Sequence, residues 1–149
     1  MAKNRNAALD LAWEYYLQGF RLHWLMTPET NAEARQMFAR ATKIRPDFAR
    51  GFAHLSFTHL VAWLNGWDSP PGGRNAKVSM KKVRDFADQA VDEGGDDYDN
   101  LWSLGLAQVY GGELDEAIKT YERAIKNARA QGAAPINIHA IRIDLADAY

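Results

Sequence analysis

The chain contains no cysteine. That absence removes disulfides, thiolate nucleophiles and cysteine-based zinc sites together, and it fits a reducing compartment. Charge of one sign is also lacking. The 18 basic and 19 acidic residues give a formal net charge of -1, whereas a dedicated binder of nucleic acid or anionic membrane carries a clear basic excess. No apolar run approaches the roughly 18 residues of a membrane span. Lys3 and Arg5 are followed by an apolar stretch that Asp10 and Glu14 interrupt, so no secretory signal is expected. Sustained alternation of β-branched and polar residues is missing as well. These absences, with a hydrophobic content of 47%, predict one all-α domain over residues 1–149 that buries a core without staples and resides in the cytoplasm.

What the chain has is a helical pattern that recurs. Ala34, Phe38 and Ala41 stand at i, i+4 and i+7, one helix stripe in which small residues flank an aromatic so that a neighbouring helix can come close. Pro46 is expected to stop that helix and open the next. The same stripe returns as Val83, Ala87 and Ala90, and again as Ala117, Tyr121 and Ala124. Each is preceded by a leading helix: Tyr15 to Leu22 with Gly19, then Phe52, Leu55 and Ser56, then Leu101, Leu104 and Gly105. Ala41 and Ala90 are 49 positions apart against a period of roughly 34. An insertion is therefore expected, and the turn-forming run Asn65 to Asn75 is its place. The predicted units are 7–47, 48–97 with the inserted loop 65–75, 98–134, and a partial repeat or cap at 136–149. In the last, Leu145, Ala146 and Tyr149 take the leading-helix places, and five isoleucine and leucine residues from Ile136 to Leu145 make it apolar over much of its girth.

The Ala34, Phe38, Ala41, Pro46 spacing and the Leu101, Gly105, Ala117, Tyr121, Ala124 series resemble the tetratricopeptide superfamily over most of the chain. The segments Tyr16 to Gly19, Thr27 to Glu29, Pro46 to Arg50, Asn65 to Trp67 and Asp96 to Asp99 are similar to the repeat regions that accompany bacterial adenylate/guanylate cyclase-type proteins and some transcriptional activators. The resemblance implies a right-handed α-solenoid of antiparallel helix pairs, about three units plus one unpaired C-terminal helix, whose leading helices line a concave peptide-binding groove. It brings no cyclase activity, because no catalytic domain is present in these residues.

Trp13, Tyr16, Phe20 and Trp24 form an aromatic ridge on the first leading helix; Phe57 and Leu60 continue it on the second, and Trp102, Leu106 and Tyr110 on the third. These nine residues are the expected groove, a hydrophobic channel for an amphipathic helix or extended peptide with Trp and Tyr as anchors. The same spacing equally suits side chains that are simply core. Chaperone-binding members of the superfamily grip a peptide carboxylate with Lys, Asn and Arg. The corresponding places here hold Tyr16, Phe20, Ala53, Phe57, Trp102 and Leu106, so an acidic C-terminal peptide is not the expected ligand.

No catalytic constellation can be placed, and neither a cofactor nor a metal is expected. His54 and His59 are five apart on a helix and diverge by about 140°, while His23 and His139 belong to different repeats. The acidic group Asp92, Glu93, Asp96, Asp97 and Asp99 lacks the alternating ligands and central glycine of a calcium loop. It reads as a helix exit followed by an acidic first turn. Lys81 and Arg84, with Asp85 and Asp88 four residues on, read as a solvated ion-paired face. The function expected is a non-catalytic scaffold for a protein or peptide partner. The alternative is a self-associating or regulatory segment of a larger bacterial signalling protein, cyclase-type or a transcriptional regulator, with the final helix as the self-contact.

Overall fold

The computed structural model describes the backbone of residues 2–67 and 75–149, and the side chains of 6–67 and 79–149. Among the described residues there are seven helices and no strand. They are α1 (Ala2–His23), α2 (Pro28–Ile44), α3 (Ala49–Leu64), α4 (Asn75–Gly94), α5 (Tyr98–Tyr110), α6 (Leu114–Ala130) and α7 (Pro135–Ala148). The chain is thus all-α. None of these helices is long and apolar enough to cross a membrane.

The helix boundaries follow local chemistry. Thr27 caps α2 by accepting the Thr30 amide at 3.1 Å while the Thr30 hydroxyl accepts the Thr27 amide at 3.1 Å, and Pro28 fills the first helical position. Asp97 caps α5 by accepting the Asp99 amide at 3.0 Å, so the acidic group does combine a helix exit with an acidic first turn. Pro46 differs from expectation. It lies in the turn after α2 and does not open α3, which starts three residues later at Ala49 behind an uncapped Phe48. Helices α3 to α6 each exit near a glycine at positive φ, from Gly66 to Gly132, whereas α1 exits through Met26 at φ 55°. Most of the expected insertion, residues 68–74, falls outside the described residues; α3 ends at Leu64 and α4 begins at Asn75 on either side of it.

All nine residues of the three small-aromatic stripes on α2, α4 and α6 have no solvent exposure. Opposite the central ring of the first and third stripes the leading helix carries a glycine. A Cβ on Gly19 would lie 2.8 Å from the Phe38 ring, and one on Gly105 would lie 2.4 Å from the Tyr121 ring. In the middle unit Ser56 instead donates to the carbonyl of Val83, the first residue of its stripe, at 2.7 Å. The close approach of a glycine to a ring therefore occurs in the first and third pairs, where it sets how tightly the helices close, and a serine hydrogen bond joins the second pair.

Each helix packs against the next in sequence, and α1 with α3, α3 with α5 and α5 with α7 also touch. Among the described residues no backbone contact joins two even-numbered helices. The odd-numbered helices thus gather on one side. On α7 the buried positions are Ile141 and Ala148; Ala146 and Tyr149 are exposed and Leu145 only partly covered, which shifts the packing face from the expected one. Ile136 and Ile143 remain 70% and 50% exposed.

Candidate functional site

The odd-numbered helices enclose a cavity of about 560 Å³. From α1 it receives Tyr16, Phe20, His23 and Trp24. Helix α3 contributes Arg50, His54 and Phe57, and α5 contributes Tyr98, Asp99 and Trp102. Ile136, Asn137 and Ala140 of α7 close the far side. The second residue of each of α3, α5 and α7 reaches it, namely Arg50, Asp99 and Ile136.

Of the nine residues expected to form a groove, five meet here: Tyr16, Phe20, Trp24, Phe57 and Trp102. Their rings form two groups that the His54 ring joins, 5.0 Å from Tyr16 and 5.4 Å from Phe57. Tyr16 lies 6.1 Å from Phe20, Phe20 lies 6.0 Å from Trp24, and Phe57 lies 6.0 Å from Trp102 across the α3–α5 seam. The other four go elsewhere. Trp13 stands behind the wall, edge-on to Phe48 at 5.0 Å and beneath the Arg50 guanidinium at 5.7 Å. Leu60 is buried in a cluster with Val83, Ala87 and Ala107, and Leu106 packs on that same cluster. Tyr110 is exposed and rests edge-on against Trp63 at 5.8 Å, outside the cavity. Of the expected line through Ala53, Phe57 and Leu60 only Phe57 reaches the cavity, because Ala53 and Leu60 are buried in the core. The row that faces it is Arg50, His54 and Phe57, the same spacing one step round the helix.

The polar part of the wall escaped the sequence reading. Arg50 lies 3.3 Å from Asp99 and 3.9 Å from Asp97. Burial works against the guanidinium's charge, but Asp99 and Asp97 hold its pKa above the ordinary value. Burial raises the Asp99 carboxyl, against the pull of Arg50, and Asp97 adds to the rise. Tyr16 shares a 3.1 Å hydrogen bond with His54 Nε2. Desolvation, reinforced by Asp99, pushes the Tyr16 hydroxyl up to about 12. Desolvation takes the His54 imidazole down to about 3, with His23 and Arg50 adding to it. His23 is lowered by burial as well, and its Nδ1 is buried with no hydrogen-bond partner among the described residues. Both imidazoles are therefore neutral at neutral pH.

Helix α7 also fixes one aromatic wall. The Trp102 indole donates to Asp144 at 2.6 Å, and burial raises the Asp144 carboxyl against that bond. Asn137 donates to the Tyr98 hydroxyl at 3.4 Å. A signal for the ion cluster did exist, since Arg50 and Asp99 occupy the same position in successive leading helices with opposite charge. Among the described residues no three His, Asp or Glu side chains converge as metal ligands would. What the arrangement offers is a recess with aromatic faces and one partly buried ion cluster.

Compared with known proteins, the chain matches no family model and no curated protein.

Proposed function

We propose that this chain is a short right-handed solenoid of antiparallel helix pairs of tetratricopeptide type, and that it acts as a non-catalytic scaffold which receives a peptide or helix of a partner protein on the odd-helix face. The observation that carries the reading is the cavity to which all four odd-numbered helices contribute, walled by Tyr16, Phe20, Trp24, Phe57 and Trp102. Trp24 is 66% exposed at its edge, a large ring offered to a partner where burial inside the chain would have been the default. The close approach of a leading-helix glycine to the central ring of the trailing stripe, found in the first and third pairs, supports the repeat assignment.

The test is selection of peptides from a randomised library against the immobilised chain, followed by calorimetric titration of the enriched sequences. Loss of an aromatic anchor of this kind costs about 2 kcal/mol or more, so Phe57→Ala and Trp102→Ala are each expected to weaken binding roughly 30-fold. A library that yields no enriched family, or peptides indifferent to both substitutions, would remove the proposal. A second reading, self-association through α7, draws on the exposed Ile136 and Ile143. Sedimentation of Ile136→Ser/Ile143→Ser beside the unmodified chain decides it, because equal monomer mass in both excludes it.

A further inference from the structure

Helices α3, α5 and α7 can be laid in one register, at offsets of 49 and 41 positions, in which Arg50, Asp99 and Ala140 fall together and all line the cavity. On one flank of each helix lie the residues that meet the unit before it. These are Gly51 and Thr58, Asn100 and Ala107, and Ile141 and Ala148, and all six are buried. The other flank of α3 carries Phe52, Ser56 and His59, which α4 covers through the Phe86 ring and the Val83 carbonyl. The other flank of α5 carries Leu101, Gly105 and Gln108, again buried, with Tyr121 of α6 against Gly105. The equivalent residues of α7 are Arg142, Ala146 and Tyr149, and all three are exposed. Tyr149 is 81% exposed, with its hydroxyl resting on Glu122 at 3.4 Å. Helix α7 thus completes its contacts with the unit before it and leaves bare the flank that α3 and α5 give to a trailing helix.

We propose that the α7 flank of Arg142, Ala146 and Tyr149 seats an amphipathic helix from outside residues 1–149, antiparallel to α7, with a ring between two small residues at i, i+4 and i+7. This rests on the repeat reading of the fold and names a second docking surface, apart from the cavity. Ala146 decides the chemistry. It stands in the register of Gly105, which lets the Tyr121 ring approach, so a small residue there leaves room for a ring. Arg142 takes the place of Leu101 and offers its aliphatic stem while its head stays in water. The seat continues the packing of α5 against α6, in which the Ala117, Tyr121 and Ala124 stripe lies on Leu101 and Gly105. A second folded copy of the chain does not supply such a stripe, because all nine residues of its own three are fully buried.

The probe is a fluorescein-labelled peptide of residues 114–130, which carries the Ala117, Tyr121 and Ala124 stripe, titrated with the full chain and read by anisotropy. Saturable binding is expected, at least tenfold weaker for Ala146→Leu, which fills the room for the ring, and within threefold for Ala146→Ser. A Tyr121→Ala peptide should bind at least fivefold less well. Phe57→Ala should change the affinity by less than twofold, whereas peptides selected on the cavity should respond to Phe57→Ala and not to Ala146→Leu, so the two surfaces fail separately. A second measurement joins a copy of residues 109–130 after Tyr149, which stands in the register of Gln108, so that the helix acts at high local concentration. The urea midpoint should rise, and Ala146→Leu should cancel the rise. Ala146 is exposed, so leucine there is expected to leave the midpoint of the unextended chain unchanged. An extended chain no more stable than the parent would overturn the seat. Peptide binding indifferent to Ala146→Leu would do the same, since exchange for the chain's own α6 gives that result. A dimer in sedimentation that Ala146→Leu abolishes, with no peptide bound, would put a second copy on the flank and equally overturn the assignment.

Discussion

Replacing Gly105 by alanine tests the packing that builds the odd-helix face. A Cβ there would sit 2.4 Å from Tyr121 Cε1, 2.6 Å from Cδ1 and 2.9 Å from Cζ. Favourable carbon contacts lie near ~3.5–4.0 Å, so one side must retreat by about 1 Å. Tyr121 cannot swing into space, because it has no exposure and lies in a cluster with Leu101, Ala117, Ala124 and Ile141. Forced insertion into a packed core costs about 1–3 kcal/mol. Alanine recovers roughly 1 kcal/mol in a helix interior relative to glycine. The clash involves three rigid ring atoms, so the penalty belongs in the upper half of its range, and a net loss of about 1–2 kcal/mol is expected. Urea unfolding should show a lower midpoint with an unchanged slope. Combining Gly105→Ala with Tyr121→Leu should be less damaging than the sum of the two changes, with a coupling of about 1 kcal/mol. A Gly105→Ala chain as stable as the parent would refute the close approach of α5 and α6.

Further consequences can be measured on the same unfolding transition. The Tyr121 hydroxyl is buried without a partner among the described residues; Tyr121→Phe removes it and is expected to be neutral or to stabilise by up to about 1 kcal/mol, and a clear loss would reveal a bond that was overlooked. His54 falls from its ordinary 6.5 to about 3 in the folded chain, so the unfolded state binds the extra proton as pH drops. Its contribution is fully present above pH 6.5 and is lost between there and about 3 at roughly 1.4 kcal/mol per pH unit. His23, lowered in the same direction, steepens the fall. Unfolding free energies measured at pH 7, 6 and 5 should decline accordingly, and His54→Phe should flatten the curve. Met26 takes φ 55° where α1 ends, a conformation that costs a side-chain-bearing residue roughly 1–2 kcal/mol. Glycine's greater freedom when unfolded offsets part of the relief, so Met26→Gly should stabilise by about 0.5–1 kcal/mol; a loss would mean that the Met26 side chain packs more than its exposure indicates.

Much of this fold was legible because its determinants are local. Ala34, Phe38 and Ala41 share a face through helix geometry alone, and so do Val83, Ala87 and Ala90, and Ala117, Tyr121 and Ala124; all nine are fully buried. The Lys81–Asp85 and Arg84–Asp88 pairs were readable for the same reason, and stand at 2.6 Å and 3.1 Å. The site was half legible. An aromatic ridge can be found by spacing, but which row of α3 faces the cavity depends on how that helix is turned between α4 and α5. Leu60 has the spacing of a groove residue and the surroundings of a core residue. Tyr16 with His54, and Arg50 with Asp99, are separated by 38 and 49 positions and meet only once successive leading helices lie side by side. Pro46 illustrates the reverse error. It has the chemistry of a helix opener, yet the turn needed two more residues before the backbone could redirect.

The most direct test of the binding face compares two residues that share the aromatic spacing but that the fold separates. Trp102 lines the cavity, and Tyr110, eight positions later on the same helix, does not. The measurement is the affinity of one library-selected peptide for Trp102→Ala and for Tyr110→Ala, with thermal unfolding confirming that both variants are folded. The cavity account predicts a loss of roughly 30-fold for Trp102→Ala and a change within twofold for Tyr110→Ala. Equal losses, or a greater loss at Tyr110, would contradict it.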